Sequence, residues 1–265
     1  MGVPNVQKRT LRIFPLYFTI PRGKRPGALK MSIIDEYLRL REENRRIRAP
    51  NTLYTTDLTH PCPRQIWLNI MHDDPFPPET LRIFDAGRVL EDHWVGVLEK
   101  KKDIAVIATQ LPARHFFKVD GEEWSIHGRV DILCQHDYDG LIVHEVKTTK
   151  NLYYIKRQGP RQEHIDQIQF YINALGVKHG QIDYLDKEAW LTGEREVDKS
   201  FPIEANDTIY SYLTLAAEQI AKDIKYANLP DPNPDAWGGR ICDFCRYRKL
   251  CEEPKDINTK GDNKS

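Results

Sequence analysis

The hydrophobic pattern of the chain changes period twice. Helical spacing holds before residue 104, alternating and β-branched runs fill 104–148, and helical spacing returns after 161. Ser32 predicts an N-cap for a helix running to about Arg48, with Ile34, Tyr37 and Leu38 on one face. Arg41, Glu42 and Arg45 interrupt that stripe, and Pro50 ends the helix. Cys62-Pro63-Arg64 opens a second helix, with proline at its first position and Ile66, Trp67 and Ile70 inward. Past the loop Pro75–Pro78, a long helix is expected from Glu79 to Lys101, burying Ile83, Phe84, Val89, Leu90, Trp94 and Leu98.

Strands are expected over Ile104–Leu111, His115–Val119, Glu123–Leu133 and Leu141–Thr148, with turns at Gly121 and Asp137–Gly140. A helix follows over 161–177. Ile182–Leu185 and Glu194–Phe201 read as a hairpin around Thr192-Gly193. Asn206 to about Tyr226 is a long amphipathic helix carrying Ile209, Leu213, Ala216, Ile220 and Ile224. Pro230, Pro232 and Pro234 form a stiff linker to a cysteine-rich segment. The first 30 residues show little periodicity, although Phe14, Tyr17 and Phe18 form an aromatic patch suited to packing on the body or pairing as a short strand. The division expected is a basic N-terminal arm and helix over 1–50, a folded domain over 51–251, and a disordered polar tail over 252–265.

Composition narrows the class. At 265 residues and 40% hydrophobic, the chain has ample material for a core and is not a disordered polymer. No segment approaches the roughly 20 apolar residues of a membrane span, and no secretory signal opens the chain, so a cytoplasmic protein without a membrane partner is expected. The net charge is zero, yet residues 1–50 carry twelve Lys or Arg against four Asp or Glu. A basic arm on a mildly acidic body suits a polyanionic partner, and Arg45, Arg46 and Arg48 form its densest cluster.

Two carboxylates and a lysine stand out. Asp131 ends Gly128-Arg129-Val130-Asp131 on one expected strand, and Glu145-Val146-Lys147 lies on the next. Residues i and i+2 share a strand face, so Glu145 and Lys147 point together while Val146 enters the core. A hairpin can bring Asp131 beside them. Hard oxygen donors of this kind suit Mg²⁺ or Mn²⁺, with the Val146 carbonyl as a further donor, and a neighbouring lysine can stabilise an anionic transition state. The alternative is a surface ion pair. Gln167 and Tyr171 lie one helical turn apart, with His164 one turn earlier, while Glu91, Asp92 and His93 sit on the helix before the sheet.

The five cysteines are an odd count, which disfavours a disulfide framework. Cys242-x-x-Cys245-x5-Cys251 and the remote Cys62 can together form a four-thiolate site, for which zinc and an iron–sulfur cluster are both chemically open. Cys134 reads as an ordinary buried thiol. Arg64, next to the Cys62 segment, can reach a phosphate or bridge within the fold.

In order, Gly87-x-x-x-Glu91, Gly128-x-x-Asp131, Glu145-x-Lys147 and Gln167-x-x-x-Tyr171 resemble the RecB-like branch of the PD-(D/E)xK nucleases, over roughly residues 52–251. The resemblance implies an α/β restriction-endonuclease-like core, a central mixed sheet flanked by helices, joined to a helical subdomain stapled by iron–sulfur. It implies Asp131 and Glu145 as metal ligands, Lys147 as the catalytic lysine, and Gln167 and Tyr171 as supporting or DNA-touching residues. Many members carry histidine at the fifth position of the first motif. Here that position is Glu91, with His93 two residues on. The two are about 200° apart on a helix of 3.6 residues per turn, so they cannot both face the site, and Glu91 is favoured.

Cys62 with the C-terminal three resembles the iron–sulfur members of the family and implies a 4Fe-4S cluster over zinc. With no Gly-x-x-x-x-Gly-Lys-Ser/Thr phosphate loop present, the resemblance is to the stand-alone CRISPR-associated exonucleases of the fourth family. These imply a Mg²⁺- or Mn²⁺-dependent exonuclease on single-stranded DNA, 5′ to 3′, acting in prespacer processing beside a CRISPR integrase, or in recombination and repair. Two other readings stay open. One is a non-catalytic DNA-binding or assembly subunit of the same fold, and the other is a phage-type recombination exonuclease. The sequence leaves oligomeric state open.

Overall fold

The computed structural model describes residues 32–45, 47–72 and 74–252. The expectations for Phe14, Tyr17 and Phe18, for Arg46 and for the polar tail beyond residue 252 lie outside those residues.

Alternation along 104–149 builds three long strands, β2 (Ile104–Val119), β3 (Glu122–His136) and β4 (Gly140–Thr149). The short β1 (Thr52–Tyr54) precedes them, and β5 (His179–Asp186) and β6 (Asp198–Glu204) follow. Together they form one mixed sheet in the order β1-β3-β4-β5-β6, with β2 also on β3. β1 lies parallel to β3 and β5 parallel to β4, while the other pairings are antiparallel. The helices before the cysteine-rich segment are α1 (Ile33–Glu43), α2 (Thr55–Leu58), α3 (Pro63–His72), α4 (Pro78–Leu98), α5 (Leu152–Gln158), α6 (Gln162–Leu175), α7 (Lys187–Thr192) and α8 (Asp207–Lys225), and short helical turns follow at Ala236–Gly239, Ile241–Phe244 and Arg248–Glu252.

Neighbouring residues on the strands face opposite ways, and each face has its own core. Val143 and Ile182 join Ile168, Phe170, Ile172, Leu213 and Ala217 under α6 and α8. On the other face Ile132, Cys134 and Leu185 pack against Trp94 and Leu98 of α4, with Val146 alongside. Trp67 and Leu68 of α3 meet Tyr247 in a third cluster, which draws the C-terminal cysteine segment onto α3.

Several sequence expectations change. Strand β2 runs on through Pro112, because among the described residues it pairs only with β3 and is therefore an edge strand, where a residue lacking N–H is tolerated. The hairpin expected around Thr192-Gly193 contains a helix instead: Asp186 caps α7 by accepting from the Glu188 and Ala189 N–H groups, and Gly193 ends it at φ 66°. The first helix stops at Glu43, short of Arg48, and buries Leu38 while Ile34 and Tyr37 are exposed. On α4, Trp94 and Leu98 face inward as expected. Ile83, Phe84 and Val89 do not, being 60%, 50% and 67% exposed. α1 lies along α4 through the Arg41–Asp85 and Arg82–Asp35 ion pairs.

Candidate functional site

Strand β2 takes one edge of β3 from residue 122 to 136, so β1 and β4 must share the other edge. β1 holds residues 125–127 and β4 holds 132–136. Residues 128–131 lie between them, where the sheet splits. Beyond the Ile132–His144 pair the two strands part, and Asp131 Oδ2 accepts a 2.8 Å hydrogen bond from the Val146 N–H in place of a ladder bond. Gly128 sits inside the split. A Cβ there would lie 2.3 Å from Tyr171 Cε1 and 2.4 Å from Thr55 Oγ1, so only glycine lets α2 and α6 close on the strand.

The sequence-predicted residues meet at this opening. Lys147 Nζ donates to Glu145 Oε1 at 2.6 Å and to Gln167 Oε1 at 2.8 Å. An ammonium only donates, so the Gln167 amide is oriented with its oxygen toward the lysine. Its Nε2 then donates to Tyr171 Oη at 2.9 Å. Glu91, on α4, reaches the same space and accepts from Gln110 Nε2. His93 does not enter it; two residues on, it faces the other side of the helix and meets the Trp190 ring at 4.3 Å between centroids. The helical rotation separates the two candidates, and the cluster contains Glu91.

The electrostatics are those of crowded anions. Burial, then the charges of Asp131 and Asp92, raise Glu91 to about 7. Burial, then Asp131, raise Glu145 to about 8 against the pull of Lys147. Burial raises Asp131 despite Lys147 and the Val146 N–H. Glu145 Oε2 is buried with no hydrogen-bond partner among the described residues. Three clustered carboxylates, one carrying a free inward oxygen, form a donor set that fits a hard divalent cation. His164 donates to or accepts from Tyr184 Oη at 2.6 Å, and burial and Lys147 hold it down to about 3, so it is neutral.

The split opens into a cleft of about 1040 Å³. Arg88, Arg129, Lys150 and Arg161 line it, with Tyr54, Ile83 and Phe84 also in its wall. The outward turn of Ile83 and Phe84 thus gives the cleft its apolar rim. Of the arginines singled out in the sequence, Arg45 pairs with Glu42, and Arg48 pairs with Asp57 at 2.5 Å over the Tyr54 ring. Arg64 lies away from the cleft, donating to the Pro230 carbonyl at 2.8 Å and approaching Cys251 Sγ at 3.8 Å. The cationic lining that the sequence reading missed includes Arg129, whose position two residues before Asp131 was its only local signal. Gln110 gave none, because its link to Glu91 exists only in three dimensions.

Cys62, Cys242, Cys245 and Cys251 line one small cavity of about 50 Å³ and form no disulfide. Burial, then the proximity of the other three, raise the Cys245 thiol. Four thiols around one cavity suit a four-thiolate centre, for which zinc and an iron–sulfur cluster are both chemically open.

Comparison with known proteins gives a consistent neighbourhood. The family model "PD-(D/E)XK nuclease superfamily" matches residues 57–252. The "CRISPR-associated exonuclease Cas4" of Saccharolobus solfataricus is 24% identical over 158 residues, 58% of this chain and 74% of that protein. The crystal structure of SSO0001 shares the fold at a TM-score of 0.56 and 20% identity, covering 83% of this chain and 96% of that one. The alkaline exonuclease of Laribacter hongkongensis aligns at a TM-score of 0.49 and 13% identity, over 72% and 93% of the two chains.

The raised carboxylates have a measurable consequence. A carboxylate whose folded pKa exceeds its unfolded value near 4.3 stabilises the fold below that value and loses the contribution as pH rises through the folded pKa. For Glu91 and Glu145 the loss ends at about 7 and about 8. The histidines held low by burial are neutral in both states above about pH 7 and do not mask it. Without divalent cations, the melting temperature should fall from pH 7 to 8.5. Glu145→Gln should flatten that fall, and Mn²⁺ should reverse it in the wild type. Parallel pH slopes for wild type and Glu145→Gln would refute the assignment.

Proposed function

The chain belongs to the PD-(D/E)XK nuclease superfamily, and from that premise we propose that it is a divalent-metal-dependent DNA nuclease that shortens single strands from the 5′ end. The observation that carries this reading is the meeting of Asp131, Glu145 and Lys147 in the split sheet, with the Glu145 Oε2 lone pairs unused. In this reading Mg²⁺ or Mn²⁺ is held by Asp131 and Glu145, with Glu91 and the Val146 carbonyl as further donors. When bound, the ion lowers the pKa of the attacking water and offsets charge growing on the phosphate. The chain's own groups do the rest. Lys147 presents its ammonium to the water and the scissile phosphate, where it stabilises the developing anion. Gln167 is a positioning residue that fixes the direction of that ammonium and is itself braced by Tyr171. Arg88, Arg129, Lys150 and Arg161 bind flanking phosphates. Tyr54 and Phe84 offer rings on which unpaired bases stack, which favours single strands over duplex.

Two finer assignments accompany this one. The four cysteines hold a 4Fe-4S cluster in a structural role, tying α3 to the C-terminal segment around the nuclease core. The similarity to an exonuclease named as CRISPR-associated supports work on DNA ends during spacer acquisition, beside an integrase, in the cytoplasm.

On end-labelled single strands with Mn²⁺ or Mg²⁺, the wild type should release nucleotides from the 5′ end, and EDTA should stop it. Asp131→Ala and Lys147→Ala should each lower turnover by about 10²–10³-fold or more. Wild-type turnover in Lys147→Ala would remove the lysine from the mechanism, and cleavage in EDTA would remove the metal.

The cluster assignment predicts brown protein containing iron. Cys62→Ala should bleach it and lower its melting temperature, whereas Asp131→Ala should leave the colour intact. Colourless, zinc-loaded protein from anaerobic, iron-rich culture would overturn it.

A further inference from the structure

A second group of ligand atoms lies on the same pair of strands, at their paired end. Cys134, His136 and His144 each point one donor atom into a common space, and those atoms all lie within 4.8 Å of one another. Alternation explains the grouping. Cys134 and His136 are i and i+2 on β3, and His144 enters from β4 on the same face through the Ile132–His144 register. The two imidazole Nε2 atoms are 3.1 Å apart. Tetrahedral zinc, with bonds of about 2.0–2.3 Å, holds its ligand atoms roughly 3.3–3.8 Å apart. The two imidazole nitrogens already stand near that spacing, and side-chain shifts of about 1 Å or less bring the Cys134 sulfur to it.

The surroundings are those of a ligand set. His144 is fully buried, and its Nδ1 lies 2.8 Å from Asp183 Oδ2. Asp183 also accepts from Trp94 Nε1 at 3.0 Å, Gln181 Nε2 at 2.7 Å and Ser200 Oγ at 2.5 Å, so both of its oxygens act only as acceptors, as those of an ionised carboxylate do. An anionic Asp183 makes Nδ1 the protonated nitrogen of His144 and leaves the Nε2 lone pair facing His136 and Cys134. A carboxylate that fixes the tautomer of a ligating histidine is a common companion of protein zinc sites. Cys134 is fully buried as a free thiol, and a cation bound there would displace its proton and take the thiolate. His136 is half-buried beside the Asp137–Gly140 turn, so the group reaches toward the surface on that side.

The geometry points to a Zn²⁺ site formed by Cys134, His136 and His144, with Asp183 orienting His144, separate from both the carboxylate cleft and the four-cysteine cavity. One nitrogen-and-sulfur set of this kind selects a borderline transition metal over Mg²⁺ or Ca²⁺. The ion would pin β3 to β4 just beyond the pair at which they part, and so brace the strands that carry Asp131 and Glu145. Without it, Asp183, His144 and His136 form a plain hydrogen-bonded chain.

The test uses the full chain, with Cys134→Ala and His136→Gln compared with wild type both as such and in a Cys245→Ala background. Zinc is counted by elemental analysis after dialysis, and Co²⁺ is titrated in as a spectroscopic substitute. The wild type should hold one more zinc per chain than Cys134→Ala. It should also show a thiolate-to-cobalt charge-transfer band, which a carboxylate site cannot produce. In both backgrounds a distinct part of that band should be lost on Cys134→Ala, and the same part should require at least tenfold more Co²⁺ in His136→Gln. His136 is half-buried, so its replacement tests the site even where Cys134→Ala fails to fold. Equal zinc content with an unchanged cobalt spectrum in either folded variant would mean the hydrogen-bonded chain alone and would overturn the proposal.

Discussion

A β-strand has two edges, and β3 must serve three neighbours. With β2 filling one edge throughout, β1 and β4 divide the other and leave residues 128–131 between them without a strand partner on that second edge among the described residues. The rest of the site depends on that gap. It frees the Asp131 carboxylate to take the Val146 N–H, turns Glu145 inward, and brings α6 close enough for Gln167 to reach Lys147. Gly128 lets it close, since any side chain there would strike Tyr171 and Thr55. In an unbroken sheet these groups would be spent on ladder bonds or turned to solvent.

The gap concentrates charge that the fold alone does not balance. Glu91, Asp131 and Glu145 are all held above their usual range, with burial the leading cause for each. Lys147 offsets part of this through its 2.6 Å contact with Glu145, and Arg129 pulls on both Asp131 and Glu91. One oxygen of Glu145 has no hydrogen-bond partner among the described residues. Burying an uncompensated polar atom costs free energy, so such an atom in a wide cleft marks a place where function, rather than stability, sets the arrangement. At the paired end of the same two strands, His144 and Asp183 are buried with their hydrogen bonds made.

Periodicity made the strands legible, and with them the pairing of Glu145 with Lys147 and of Gln167 with Tyr171, because each pair lies within one element where spacing alone sets direction. Elements too short for a period were not legible: β1 is three residues long and α7 is six. Direction failed on α4, where Ile83, Phe84 and Val89 read as core yet face outward, because an apolar stripe does not say whether a core or a cleft receives it. Glu91 and His93 could be separated as alternatives in the sequence, but only the helix's rotation against the sheet shows that Glu91 meets Asp131. Gln110 and the Cys134–His136–His144 group depend on contacts between elements and left no local trace beyond the i, i+2 spacing of Cys134 and His136.

If the split in the sheet is a seat for one divalent cation, crystals of the wild-type chain equilibrated with Mn²⁺ and measured for anomalous scattering should show a peak between Asp131 and the free oxygen of Glu145, with the Lys147–Gln167–Tyr171 chain in place beside it. A fully occupied crystal with no peak there, and with Glu145 Oε2 satisfied by a protein donor, would contradict it.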